Sequence, residues 1–260
     1  MCRPSQRERS PEKPYRAALA AATVRGAEML RKRPSSTLDG GDFGWLRARH
    51  HFAMNAKGNP SNGPLGALIV WNDDEVAPGA GVGLHGHADM EIVTYVREGI
   101  NTHRDSLGNT GRIEAGDVQV MSAGTGIRHS EHNLEKNTLR IFQIWLRANR
   151  TGGEPRWSVR RFPKKDRANQ FVAIASGDRD DKEALPIRAD AKVFGATLLA
   201  GAQLHYDLGN FRHAYLAPAC GALEVNGIDV EFGDGIAALD EPRLTIFAHE
   251  DAELILVVTA

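Results

Sequence analysis

The 260-residue sequence predicts an all-β protein made of two units joined near residue 150. Three observations carry that expectation. From residue 44 to 150, short apolar runs alternate with turns rich in Gly, Pro, Asn and Asp, and no long amphipathic helical period fits there. A break at "ANRTGGEPRW" (148–157) is followed by the same texture. Finally, "GRIEAGD" (111–117) and "NGIDVEFGDG" (226–235) hold similar places in two halves of about 110 residues each, a weak internal repeat.

In chain order, "YRAALAAATVRGAEMLRKR" (15–33) has strong helix formers and predicts a helix interrupted near Gly26. The first 33 residues carry nine Lys/Arg and three Glu, or +6, which leaves −7 on the rest of a chain whose total is −1. Residues 1–35 are therefore expected to form a basic, solvated extension, helical or disordered. "RPSSTLDGGDFG" (33–44) reads as a linker. Strands are expected at Gly66–Trp71, Ile92–Val96, Val118–Met121 and Leu139–Leu146, with turns at 72–81 and 105–111. After a charged stretch at 176–190, "GALEVNGIDVEFGDGIAALD" (221–240) reads as strand, Asn-Gly hairpin, strand, Gly-Asp-Gly turn and strand. "AELILVVTA" closes the chain as a strongly apolar strand. The expected organisation is an extension (1–35), a first unit (36–150) and a second unit (151–260).

Several function classes recede at this stage. No segment approaches the roughly 18 consecutive apolar residues of a membrane span, and the N-terminus lacks the order of a signal peptide. With only Cys2 and Cys220, no structural disulfide is expected and a reducing cytoplasm fits. The acidic body argues against nucleic acid as a partner.

Seven of the ten histidines fall between His50 and His132. In "GLHGHADMEIVTYVREG" (83–99), His85 and His87 stand at i and i+2, which on an extended segment puts both on one face. "GIRHSEHN" (126–133) supplies His129 and Glu131 at the same spacing. Two such pairs on neighbouring strands can close on one ion as three nitrogens and a carboxylate. That donor set suits Fe, Mn, Co, Ni, Cu or Zn better than Ca or Mg. On spacing alone Glu91 competes for the carboxylate place, and His129–Glu131 can also be read as part of a surface cluster with His132.

These stretches, with "GDVQVMSAGTGIRHSEHN" and "FQIWL", resemble the pirin family of the cupin superfamily. The likeness is clearest over 44–150, weaker over 212–240, and absent from the first 35 or so residues. It implies a bicupin, two β-barrels face to face, with a metal only in the first. It also implies His85, His87, His129 and Glu131 as ligands, against Glu91, and Fe(II) as the first-choice metal. The implied activity is a flavonol (quercetin) 2,3-dioxygenase that uses O2 and releases carbon monoxide, with Glu131 also serving as the base that takes a substrate hydroxyl proton. The expected partners are O2 and a small aromatic or enediol-like substrate, and the expected state is a monomer. The alternative the family implies is a regulator that responds to metal redox state and binds a transcription factor or a metabolic enzyme. The chain departs from its relatives at "GWLRARHHFAM" (44–54), where Met54 replaces an aromatic near the expected pocket entrance.

The remaining candidates have plainer readings. His103 reads as a turn or supporting residue, His50 and His51 as a surface pair of which one can line the pocket, and His132 as part of a surface cluster with Glu131, the alternative being a donor beside the metal. Met121 and Trp145 read as core. Gln119 and Gln143, if they face a cavity, need polar partners. Cys220 reads as an inert thiol at a turn.

Overall fold

The computed structural model describes residues 29–54 and 58–260. Two seven-stranded sheets and two four-stranded sheets carry almost all the regular structure, with three single-turn 3-10 helices between strands. Each long sheet faces a short one to make a barrel. In the first barrel the central strands of the long sheet are Asp117–Ser122, Met90–Glu98, Leu139–Arg147 and Leu68–Val76. Its short sheet runs in the order Gly81–His87, Ile127–His132, Ile100–Asp105, Thr110–Glu114. The four expected strands of this half all form. The longest departure is at 72–76, expected as turn, where the strand begun at Leu68 continues to Val76 because Leu139–Arg147 and Leu46–His50 pair with it on both sides.

The two long sheets stack, and one apolar cluster is drawn from both. Trp71, Tyr95 and Phe142 of the first meet Tyr215, Ile255 and Val257 of the second. Closing strand Ala252–Thr259 is buried at every position, as a central strand covered on both faces must be.

The long sheets also exchange strands. Leu30–Arg33 pairs with Gly235–Leu239 of the second barrel, and Arg156–Arg161 pairs with Asp117–Ser122 of the first. The helix expected over 15–33 is thus corrected at its end, where Leu30–Arg33 is a strand; its residues 15–28 lie outside the described residues. Cross-strand pairing overrides the local helix preference there. Within the expected linker, Asp39–Asp42 forms a hairpin with Leu46–His50. Gly40 makes this possible: it sits at φ +122°, and a Cβ on it would collide with the Ala48 carbonyl oxygen.

The suspected repeat has a physical counterpart. Asp117 accepts a hydrogen bond from the Glu114 N–H at 3.2 Å, and Asp234 accepts one from the Glu231 N–H at 3.1 Å. Both "Gly-Asp" turns carry the chain from a short sheet into a long one. The Asn226–Gly227 hairpin forms as expected, both residues at positive φ. The interiors differ. The second barrel holds one continuous apolar core, whereas the first is split into two smaller apolar clusters, with polar side chains between them.

Candidate metal centre

Strand Ile127–His132 runs between Gly81–His87 and Ile100–Asp105. Its register sets His129 directly opposite His85 and Glu131 directly opposite His103. A bulge between His129 and Glu131 shifts the pairing against Gly81–His87, the kind of irregularity that re-aims side chains. The imidazoles of His85, His87 and His129 converge, with ring centroids 4.4 to 5.1 Å apart. One nitrogen of each lies within 4.8 Å of the other two. His129 also belongs to a second group of the same tightness, with His103 and Glu131. The three predicted histidines are therefore together, and Glu131 joins them through His129 and His103.

The ring nitrogens are prepared for a cation. His85 Nδ1 donates to the Gly83 carbonyl at 2.9 Å, which leaves the Nε2 lone pair for the cluster. His103 Nε2 meets the Asp105 carboxylate at 3.1 Å, leaving its Nδ1 without a partner. Neither His87 Nε2 nor either nitrogen of His129 has a hydrogen-bond partner among the described residues. Orphaned buried nitrogens cost about 1–3 kcal/mol each; a bound cation would take one lone pair from each ring, while the other nitrogen of His129 is an N–H that needs an acceptor. Burial, followed by the charge of His85, lowers the His87 pKa; burial drives His129 down to about 4. Both are thus neutral near pH 7, as a metal-binding imidazole must be. The donor set fits a divalent transition metal.

Glu131 is held by three amides. Asn101 and Gln119 donate to Oε1 at 2.7 and 2.5 Å, and Gln143 donates to Oε2 at 2.7 Å. Two indoles set the orientation of two of those amides. Trp157 donates to the Gln119 carbonyl oxygen and Trp145 to that of Gln143, each at 3.0 Å. A carboxylate offers about four lone-pair positions. With two donors on Oε1 and one on Oε2, Oε2 is the oxygen that keeps room for a metal or a proton.

The long sheet contributes a polar row. His50, Asn72, Gln143, Thr94 and Gln119 are successive cross-strand partners over five strands. Beside this row is a cavity of about 200 Å³, bounded by Asn72, Asp74, His85, Glu131 and Trp145 among others. Asn72 Oδ1 and Asp74 Oδ1 are buried without partners among the described residues. Burial, then the charges of Asp73 and Glu131, push the Asp74 pKa up to about 7. Asn72, Asp74 and Asn101 are cavity residues that lie outside the histidine-bearing pairs. Their signal was alternation, since Asn72/Asp74 and Asn101/His103 are i, i+2 pairs like the two histidine-bearing ones.

Several plainer readings change. His103 lies in a strand and is fully buried, its ring stacked on Trp157 at 4.8 Å and 9°. Trp145 lines the cavity and meets His87 edge-on at 4.9 Å. His50 lines the cavity, but His51 is fully buried and hydrogen-bonds Tyr215 at 2.8 Å, so the two are not a surface pair. Met121 is core. Glu91 is buried, accepts from Ser122 Oγ at 2.6 Å and joins neither histidine group; His132 joins neither as well. Met54 is exposed and does not line the cavity. Cys220 is exposed at the end of a strand, His213–Cys220. On the second barrel, Glu224, Asp229 and His249 form a further close group, largely exposed, in which His249 already bonds Asp229 at 3.0 Å.

Two stacked barrels, one filled with apolar side chains and one with a three-histidine centre, define a bicupin. Residues 31–146 match the pirin family model, and residues 173–257 match the quercetinase C-terminal cupin domain. A pirin-like protein of Caulobacter vibrioides is 55% identical over 89% of this chain and 100% of its own length. Quercetin 2,3-dioxygenase of Escherichia coli O157:H7 is 37% identical over 83% of this chain and 92% of its own. The bacterial pirin YhhW of Escherichia coli, solved in complex with nickel(II), superposes with a TM-score of 0.81 at 34% identity, covering 88% of this chain and 98% of that one. The chain belongs to the pirin family. No helix among the described residues is long and apolar enough to cross a membrane.

Proposed function

We propose that the protein is a metal-dependent dioxygenase of flavonol-like substrates, with His85, His87, His129 and Glu131 holding one divalent metal, Fe(II) as first choice. The observation that carries the reading is the meeting of orphaned imidazole nitrogens and a clamped carboxylate beside a mostly apolar cavity that a few polar side chains enter. Support for the substrate class comes from the relatives called quercetin 2,3-dioxygenase; support for a metal comes from the nickel complex of the Escherichia coli pirin. The metal chemistry is assigned to residues 36–150, and the barrel of 151–260 backs that unit as a metal-free scaffold in the cytoplasm.

When bound, the metal supplies Lewis acidity toward an enol oxygen and a centre for reaction with O2. The protein's own side chains do the rest. Gln119, Gln143 and Asn101 hold Glu131 so that Oε2 faces an incoming hydroxyl and can take its proton. Asn72 and Asp74 offer unpartnered oxygens to further hydroxyls of the substrate. Val82, Ile141 and Trp145 give the cavity its apolar surface. The cavity's about 200 Å³ is less than sites that enclose a whole ligand of this size, roughly 300–1,000 Å³. A flavonol therefore enters with its enol–ketone end first and leaves its pendant ring at the mouth. The test is turnover of quercetin by protein loaded in turn with iron, manganese, cobalt, nickel and copper. Oxygen-dependent loss of quercetin with release of carbon monoxide is expected; equal rates with and without O2 for every metal would contradict the proposal.

A further inference from the structure

A cavity of about 700 Å³ lies away from the metal centre, where the segment joining the barrels crosses the 176–188 loop. We propose that this groove is a second ligand site, one that binds a small organic molecule bearing two or more phosphate groups.

Four guanidinium groups line it, those of Arg150, Arg156, Arg179 and Arg188. None of the four lies within ion-pair distance of a carboxylate among the described residues. Elsewhere on the surface, arginines such as Arg47, Arg140, Arg212 and Arg243 face acidic partners. The acidic residue in the lining, Asp178, is taken by Lys192 at 2.9 Å. Behind Arg156 and Arg188, the buried Glu91 accepts from Ser122 Oγ at 2.6 Å and from the backbone N–H of Arg188, and its carboxylate also faces the charges of Arg188 and Arg156. Counting Asp178, the lining residues carry a formal net charge of +3 on a body whose residues 34–260 carry −7.

Arg188 is built in. The Asn149 N–H donates to its carbonyl at 2.8 Å, and its Nη2 donates to the Glu154 carbonyl at 2.6 Å. Its Nη1 is buried and has no partner among the described residues. Gly153 leaves the room for it, since a Cβ there would stand 2.9 Å from Nη1. A guanidinium anchored this way, with three more in the same lining, suits the paired oxygens of phosphate. The volume exceeds what one phosphate fills, and Pro186 with Ile187 offers an apolar surface for the organic part. The net negative body and the concave shape favour a small ligand over a nucleic acid strand.

The test is calorimetric titration of the metal-loaded protein with ADP and with inorganic pyrophosphate at low salt, using citrate and a short DNA duplex as comparisons. Saturable one-to-one binding of both phosphate probes is expected, weakened about tenfold or more in R156A/R179A. Those two side chains are exposed and make no hydrogen bond or ion pair among the described residues, so their loss leaves folding intact. Binding that survives in the double variant would locate the anion elsewhere, at the metal for instance, and overturn the proposal. Absence of saturable binding would overturn it too, as would citrate binding as tightly as pyrophosphate or DNA binding more tightly than either.

Discussion

Trp145 donates its indole N–H to the Gln143 carbonyl oxygen at 3.0 Å, and thereby turns the Gln143 amide nitrogen toward Glu131. Trp157 does the same to Gln119 from the other side. Glu131 is positioned by two indole–amide relays, not by its own backbone alone.

Replacing Gln143 by Leu removes the donor on Oε2 while keeping the shape. Catalytic turnover at equal metal content is expected to fall about 10- to 100-fold, the usual loss when a ligand's support is removed. W145F is expected to fall less, because the amide stays and only its orientation is freed. Steady-state kinetics on both variants, with metal measured alongside, checks the order.

Glu91 and Glu131 offer a direct contrast. E91Q is expected to keep its metal, since Glu91 bonds Ser122 and joins neither histidine group. E131Q is expected to lose most of it. Metal content after gel filtration distinguishes them, and an equal loss from both would contradict the assignment.

Asp74 makes stability depend on pH. Burial raises its carboxyl to about 7 in the native state, whereas an unfolded Asp ionises near 3.9. Between those values the native form binds more protons, so its contribution is present at low pH and is lost as pH rises toward 7. In metal-free protein, D74N is expected to be more stable than the parent at pH 8, by on the order of 1–3 kcal/mol, and to close that gap at pH 4. Urea unfolding at both pH values measures it.

Arg33 ties the exchanged first strand to the stacked sheets. It donates to the His51 carbonyl at 2.5 Å, and its guanidinium stands 4.2 Å from the centroid of the Phe52 ring. R33A is expected to cost about 2–4 kcal/mol, since it leaves a buried carbonyl and an emptied cation–π site. The melting temperature should drop by roughly 4–16 °C. A change under a degree would mean that the strand contributes little.

Much of this was legible in the sequence because strand alternation is simple. The pairs His85/His87 and His129/Glu131 needed only the period of two to share a face, and Asn226–Gly227 needed only its turn chemistry. What was missed depended on register between distant strands. The row His50, Asn72, Gln143, Thr94, Gln119 exists only when five strands align. His103 looked like a turn residue because Asp105 and Gly108 follow it, yet its strand is buried against Trp157. Leu30–Arg33 was read by local helix preference, while its partner lies about 200 residues further on.

Metal analysis tests the central claim most directly. Protein purified without chelators is expected to carry about one equivalent of a divalent transition metal per chain, and H85A and H129A are each expected to lose it while remaining folded by circular dichroism. Full metal occupancy in both variants would contradict the three-histidine centre.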